Sequence, residues 1–173
     1  MNAPPRYVPQ RQLPPYAYVP GLFPHPISDP EGHMYGKQAD KPLQAESEVR
    51  FGFDLFNHGY YWEAHEAWEQ GWAAAGRSGA YADVLKGLIK LAAAGVKARQ
   101  GKPQGVRRHA RRAQALLLAS AAADENDLPP QWKAQCDGWA KHAAEVAAAA
   151  DDLIDTSTDE VVIVFPFRLK IFP

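Results

Sequence analysis

A histidine and two glutamates with the spacing His65-Glu66-x-x-Glu69 are the residues of this sequence best suited to chemistry. In a helix, His65 and Glu69 lie one turn apart on one face, so a nitrogen and a carboxylate could bind the same divalent metal ion. Glu66 is then placed as the general base that activates water, as in zinc hydrolases with His-x-x-x-His pairs. One interpretation is therefore a metal-dependent hydrolase with His65 and Glu69 as ligands and Glu66 as catalytic residue.

A catalytic metal site needs a further ligand, because this pattern lacks the second histidine of the zinc hydrolases. His109 is a candidate, since it lies at the edge of the apolar face of a later helix. Glu63 and the two histidines His25 and His33 are the other candidates. The sequence leaves the choice among them open.

A second interpretation is structural. Trp62 and Trp72 share a helical sector of roughly 120° with the histidine and the two glutamates, so these charged groups are predicted to be partly buried. Buried carboxylates need cations or hydrogen-bond donors to offset their lost hydration. Lys86 and Lys90 could supply them, and the protein would then be a non-catalytic ligand-binding or scaffold protein. From the residues alone this interpretation is favoured, since short His and Glu patterns recur by chance.

Hydrophobic periodicity predicts that these residues belong to an all-α, five-helix bundle. Residues 43–156 form the predicted helical domain, and Gly87 and Gly95 indicate a close helix neighbour. The predicted helices run from about Leu43 to Asn57, from Tyr60 to Ala75, from Ala80 to Gln100, from after Pro103 to about Ala122, and from Pro129-Pro130 along an apolar stripe that reaches Ala150 and Leu153.

Two non-helical segments flank this domain. Residues 1–42 are rich in proline and in aromatic residues, so they are predicted to be an arm that packs on the helices. Residues 157–173 contain a β-branched and aromatic run interrupted by Pro166, which predicts an extended segment or an edge strand. Such an apolar tail needs a cover, either the arm or a second copy of the protein, and self-association is therefore expected.

Composition excludes several classes of function. The chain has 173 residues, enough for one domain, and its 19 basic and 20 acidic residues give no global field toward nucleic acid or anionic membranes. With the single cysteine Cys136, no signal peptide and no apolar run of about 20 residues, a cytoplasmic protein with no membrane partner is expected. The sequence has no Gly-rich phosphate loop, so no nucleotide cofactor is expected.

The strongest local basic patch is the helix segment from Arg107 to Arg112, which contains four arginines. Paired arginines could hold phosphates. A solvated face is the favoured interpretation, because arginine is mostly exposed in proteins and no aromatic residues alternate with these to stack on bases. Nucleic acid is therefore not expected as a partner.

The sequence around the cluster resembles the domain-of-unknown-function 309 family. The resemblance covers about Phe51 to Leu118 and rests on the motif Phe56-Asn57-x-Gly59-x-Tyr61-x-Glu63-Ala64-His65-Glu66-x-x-Glu69-x-x-Trp72, followed by Gly87-Leu88-Ile89.

This resemblance implies a compact helical bundle and, by a label sometimes attached to the family, a metal-dependent hydrolase. The site residues that it implies are Glu63, His65, Glu66 and Glu69. The chain departs from the family at Lys86 and Lys90, where many members have glutamine. Two ammonium groups facing the cluster would repel a cation and would favour ion pairs instead.

Overall fold

The computed structural model describes residues 4–37, 44–124 and 128–171. These residues form five helices and no strand, which confirms the predicted all-α bundle. The predicted start of the first helix at Leu43 lies outside the described residues. No helix in the described ranges has both the length and the apolar character needed to cross a bilayer. The helices are α1 (Ala45–Asn57), α2 (Tyr61–Ala74), α3 (Ala80–Arg99), α4 (Pro103–Ala121) and α5 (Pro130–Ala148).

A tight turn at Gly59 joins α1 to α2. Its φ of 90° lies in the left-handed region that glycine adopts without steric cost. A Cβ at this position would also lie 2.7 Å from the carbonyl oxygen of Val162 in the tail. Glycine is therefore needed both to reverse the chain and to let the tail pass.

The helix α3 lies between its neighbours, packing against α2 on one side and against α4 on the other. A Cβ on Gly87 would stand 2.8 Å from Cγ of Leu117 in α4, and a Cβ on Gly95 would stand 2.5 Å from the ring of Tyr61 in α2. The predicted close approach of a neighbouring helix at both glycines is confirmed. These contacts fix the position of α2, which carries the candidate site.

Aromatic side chains join α1 to the last helix. The ring of Phe53 lies 5.8 Å from that of Trp132 and 5.6 Å from that of Trp139, both in α5. The apolar stripe of this helix was expected to continue to Ala150 and Leu153, but α5 ends before them. Ala150 is nevertheless buried, because the turn that follows the helix folds back onto the core.

The amino-terminal arm lies against α1 and is held there by acidic side chains. The backbone N–H groups of Tyr7 and Val8 donate to the two carboxylate oxygens of Asp54, at 2.7 and 2.8 Å. Arg11 pairs with Glu48 at 2.7 Å. Since both acids are buried, these contacts are shielded from water and fix the arm on the bundle.

The tail is extended but forms no strand within the described residues, so the edge-strand alternative was wrong. The side-chain amide of Asn57 takes the place of a neighbouring strand: it donates to the carbonyl of Leu169 and accepts from its N–H, both at 2.8 Å. Phe165 and Leu169 are buried, and Ala17 of the arm donates its N–H to Glu160 at 2.8 Å. Because the chain itself covers these side chains, self-association does not follow from the tail and stays a prediction.

Candidate metal centre and adjoining cleft

The helix α2 brings His65, Glu66 and Glu69 together on one face. Nδ1 of His65 lies 3.3 Å from Oε1 of Glu66, and its Nε2 lies 3.8 Å from Oε1 of Glu69. One donor atom from each of the three residues lies within 4.8 Å of the others. The helical spacing alone produces this grouping, because residues at i and i+4 stand above one another.

His65 and Glu66 are partly buried, as the sequence predicts, whereas Glu69 is exposed. The exposed fractions are 27% for His65, 43% for Glu66 and 48% for Glu69. The arm contacts the first turn of α2, at Trp62 and Glu63. The cluster is therefore accessible to a solute. Its carboxylates keep much of their hydration, so they have little need of the partner cations that the structural interpretation assigns to them.

The imidazole of His65 presents one nitrogen to each carboxylate. Its Nδ1 is shielded from solvent and has no hydrogen-bond partner, because the 3.3 Å contact with Glu66 lacks hydrogen-bond geometry. An enclosed polar atom without a partner is uncommon in proteins and calls for an explanation. His65 is therefore held between two acids without being saturated by either.

Lys86 and Lys90 do not pair with these acids. Throughout the described part of the chain, no ion pair within 4 Å joins either lysine to Glu66 or Glu69. Nζ of Lys86 lies 5.9 Å from the ring centroid of Trp72, and the charge of Lys90 acts on His109. The ion-pair network predicted for the two lysines is thus not formed in these residues.

His109, the first candidate for a further ligand, lies outside the group of three donors. Burial lowers its pKa to about 4, and the positive charges of Lys90 and Arg108 act in the same direction, as does that of His65. The imidazole is therefore neutral at pH 7, which is the form that binds a metal ion. Its role as a ligand stays a prediction.

The two arm histidines pack against aromatic rings. His25 lies 5.0 Å from the ring of Tyr18 and 5.3 Å from that of Trp62, and His33 lies 4.9 Å from the ring of Tyr16. Neither belongs to the donor group. These ring contacts help to hold the arm against α2, and Trp62 is the residue of that helix on which the arm packs.

Glu63 is the buried acid of α2, with 9% of its surface exposed. Its Oε1 accepts the backbone N–H of Tyr18 at 2.8 Å, while Oε2 is shielded and has no hydrogen-bond partner. The pKa of this carboxyl is raised to about 7, mainly by burial and to a smaller extent by the nearby charge of Glu66. The sequence names Glu63 as a ligand candidate, but Glu63 does not belong to the group of donors formed by His65, Glu66 and Glu69.

An open cleft of about 920 Å³ lies between the arm and the helices α1 and α2. Glu63 and Glu66 both line it, whereas His65 and Glu69 do not. Glu66 therefore belongs at once to the donor group and to the cleft. Sequence reasoning missed this cavity, because it is formed by an arm whose path no periodicity describes.

The basic face of α4 is largely solvated. Arg107 pairs with Asp151, and Arg108, Arg111 and Arg112 are exposed. This placement agrees with the favoured interpretation of these arginines as a surface in water. The expectation that nucleic acid is not a partner stays a prediction.

Comparison with known proteins identifies one segment of the chain. The sequence profile of a family described as a domain of unknown function (DUF309) matches residues 49–109, which confirms the resemblance expected from the motif. The match includes the donor group, Glu63 and both lysines, and it leaves out the arm, α5 and the tail. No curated protein and no solved structure matches the chain.

Proposed function

We propose that this protein is a divalent-metal-dependent hydrolase in which His65 and Glu69 bind the ion and Glu66 acts on water. The observation that supports this proposal is the position of Glu66. It belongs to the group of possible metal ligands, and it also lines the cleft. A hydrolase needs its general base between the ion and the space that receives the substrate. Glu66 meets that requirement.

The donor set fits such an ion. An imidazole and carboxylates suit zinc, manganese or iron. Two ligands at about 2.0 to 2.1 Å from one ion can stand at most about 4.2 Å apart. The 3.8 Å between Nε2 of His65 and Oε1 of Glu69 lies within that limit. When bound, the ion would supply the acidity that turns a water molecule into a nucleophile near neutral pH.

Glu66 would also accept a hydrogen bond from Nδ1, the ring nitrogen of His65 that does not bind the ion. Metal-bound histidines usually donate their free N–H to a carboxylate, which fixes the tautomer and the orientation of the ring. Glu66 lies 3.3 Å from Nδ1 and needs only a rotation of its half-exposed side chain to accept that hydrogen bond. One of its oxygens can hold His65 while the other takes a proton at the edge of the cleft.

Elemental analysis tests metal binding. The protein is stripped with a chelator, exposed to zinc, manganese or iron(II), and desalted, and about one ion per chain is expected to remain. His65→Ala is expected to lose it. His142→Ala is the matched control, because His142 forms a similar pair with Glu145, at 3.1 Å, on α5 without a third donor. Native protein that retains no metal would overturn the assignment.

Hydrolysis is tested separately with 4-nitrophenyl acetate and bis(4-nitrophenyl) phosphate. We expect reloaded native protein to cleave at least one of them and Glu66→Gln to keep its metal but lose cleavage, since the amide cannot take a proton. His109→Ala shows whether that residue is a further ligand, through its metal content. Metal without hydrolysis of either compound would make the ion structural and would contradict the enzyme assignment.

A non-catalytic ligand-binding protein is the second candidate, and the cleft favours it. A cavity of about 920 Å³ with an unpartnered carboxylate oxygen is suited to hold a molecule whether or not a metal is bound nearby. The earlier form of this idea, with Lys86 and Lys90 paired to the acids, needs ion pairs that the described residues do not form.

A further inference from the structure

The cleft has the size and the lining of a small-molecule site. Its volume of about 920 Å³ is at the upper end of the usual range for such sites, about 300 to 1,000 Å³. Leu13, Ile27 and Met34 from the arm line it together with Phe51 of α1 and Trp62 of α2. These apolar walls can take up the hydrocarbon part of a ligand.

Two side chains that line this cleft have a shielded polar atom without a hydrogen-bond partner, namely Oε2 of Glu63 and Nε2 of His33. Glu63 lines it and is more than nine-tenths buried, and its Oε2 makes no hydrogen bond, although Oε1 accepts the N–H of Tyr18 at 2.8 Å. A buried acceptor without a donor destabilises the fold, because it has lost its hydration and gained no hydrogen bond. A ligand that brings a donor to Oε2 would recover that free energy, so this oxygen is the natural anchor point.

The charges around the cleft favour a cation over an anion. The titratable side chains that line it are Arg11, His33, Lys37, Glu48, Glu63 and Glu66. Arg11 and Glu48 neutralise each other at 2.7 Å. Burial lowers the pKa of His33, which keeps the ring neutral near pH 7. Of the remaining charges, Glu63 and Glu66 are negative and Lys37 is positive. Because Lys37 is exposed, the inner wall of the cleft is negative.

We propose that the cleft binds a small organic amine, whose ammonium group donates to Oε2 of Glu63 and to Glu66 while its apolar body lies against Trp62 and Phe51. An ammonium group carries donors and no acceptor, which matches a carboxylate oxygen that lacks a donor. Hydrogen bonds between two charged groups are about twice as strong as neutral ones. The face of Trp62 adds a further attraction for a cation.

Binding is tested with three probes of similar shape: 2-phenylethylamine, 2-phenylethanol and 3-phenylpropanoate. Each is titrated into the full chain with a chelator present, and affinity is read by calorimetry and by the indole resonance of Trp62. We expect the amine to bind, the alcohol to bind about tenfold more weakly and the anion not to bind. The chelator separates this result from the hydrolase assignment, because amine binding here needs no metal.

Two variants assign the anchor. Glu63→Gln keeps an oxygen for the N–H of Tyr18 but loses the charge, so the affinity for the amine is expected to fall about tenfold and that for the alcohol to stay the same. Glu145→Gln, an exposed acid on α5, is the matched control and leaves both unchanged. Should Glu63→Gln not fold, Ile27→Trp fills the cleft from its exposed wall and is expected to abolish amine binding with Glu63 intact.

Several results would overturn this assignment. Equal affinities for the amine and the alcohol would remove the role of charge. An unchanged affinity for the amine in Glu63→Gln, or in Ile27→Trp, would place the binding elsewhere. Failure of all three probes to bind up to the millimolar range would mean that the cleft is not an amine site.

Discussion

Two buried charges, Arg99 and Glu63, are paired in opposite ways. Arg99 is 4% exposed, and its guanidinium donates to the carbonyl oxygens of Asp155, Ser157 and Asp159 and to the carboxylate of Asp155. Glu63 is 9% exposed and receives one backbone N–H, with its second oxygen left unpartnered. The first charge is surrounded by acceptors and the second is only half satisfied.

This difference separates a structural charge from a functional one. A buried ion whose hydrogen bonds are all made fixes the segments that surround it, and here Arg99 fastens the start of the tail to α3. A buried ion with a free lone pair destabilises the fold unless a ligand arrives. Burial alone therefore does not distinguish the two roles, and the hydrogen bond that Glu63 leaves unmade is what points to a ligand.

The largest effect is expected at the saturated charge. Arg99→Met removes the donors of at least four hydrogen bonds that tie α3 to the segment from Asp155 to Asp159, so the free energy of unfolding should fall by about 2 to 4 kcal/mol. Urea denaturation measures it. Arg108→Met, on the exposed face of α4, is the control and should change stability by less than about 0.5 kcal/mol. Equal losses in both variants would remove the distinction.

A second saturated charge lies under the arm. Asp54→Ala leaves the N–H groups of Tyr7 and Val8 without an acceptor, so we expect a loss of about 2 kcal/mol and a looser arm. Limited trypsin digestion should then cut at Arg11 earlier than in the native protein. Glu46→Ala, an exposed acid of the same helix, should leave the digestion pattern unchanged. An arm that stays resistant in Asp54→Ala would mean that other contacts hold it.

The half-satisfied charge predicts a pH dependence. The pKa of Glu63 is raised from 4.5 to about 7 on folding, so the folded state binds this proton more tightly than the unfolded state does. The free energy of unfolding therefore decreases as pH rises from about 4.5 to about 7. Glu63→Gln does not titrate. Its stability relative to the native protein should rise with pH by up to about 1.4 kcal/mol per unit between these values. Parallel stability curves for the two proteins would refute the raised pKa.

His109 predicts a smaller dependence of opposite sign. Its pKa is lowered from 6.5 to about 4 on folding, so the unfolded chain takes up a proton more readily and stability falls as pH decreases through that interval. His109→Gln should lose less stability than the native protein on acidification. The partial exposure of the ring makes the difference smaller than at Glu63. Denaturation midpoints measured across this pH interval compare the two proteins, and identical acid sensitivity would contradict the prediction.

The smallest effect is expected at the exposed cluster. Glu66 and Glu69 are about half exposed and have no lysine partner within the described residues, so Glu66→Gln and Glu69→Gln should each change the free energy of unfolding by less than about 0.5 kcal/mol. Thermal denaturation of the metal-free protein measures it. A clear loss of stability in either variant would restore the structural interpretation of the cluster.

The helices could be predicted from the sequence because each one carries its own signals. Gly59 ends α1, Gly87 and Gly95 mark close contacts, and the His65 to Glu69 spacing groups those side chains on any helix. Hydrophobic periodicity describes one helix at a time. Helix ends and the spacing of side chains on one helix can therefore be predicted without knowing how the helices pack together.

Burial on α2 could not be predicted in the same way. Glu63, Glu66 and Glu69 are all acids of one helix, and only the path of the arm decides that Glu63 is covered and the others are not. The directions of Lys86 and Lys90 likewise depend on how α3 meets its neighbours. For the tail, the sequence could not decide between an extended segment and an edge strand, because the side chain of Asn57 takes the place of a neighbouring strand.

The contact between the tail and the arm bears on the order of folding. Ile171 donates its N–H to the hydroxyl oxygen of Tyr7 across 164 residues. Contacts this distant in sequence form slowly, because a long loop must close first. During synthesis the arm is made before the helices and the tail after them. The helices can therefore pack together before the tail is available to contact the arm. The joining of these two segments is therefore expected to be a late step of folding, after the bundle has assembled.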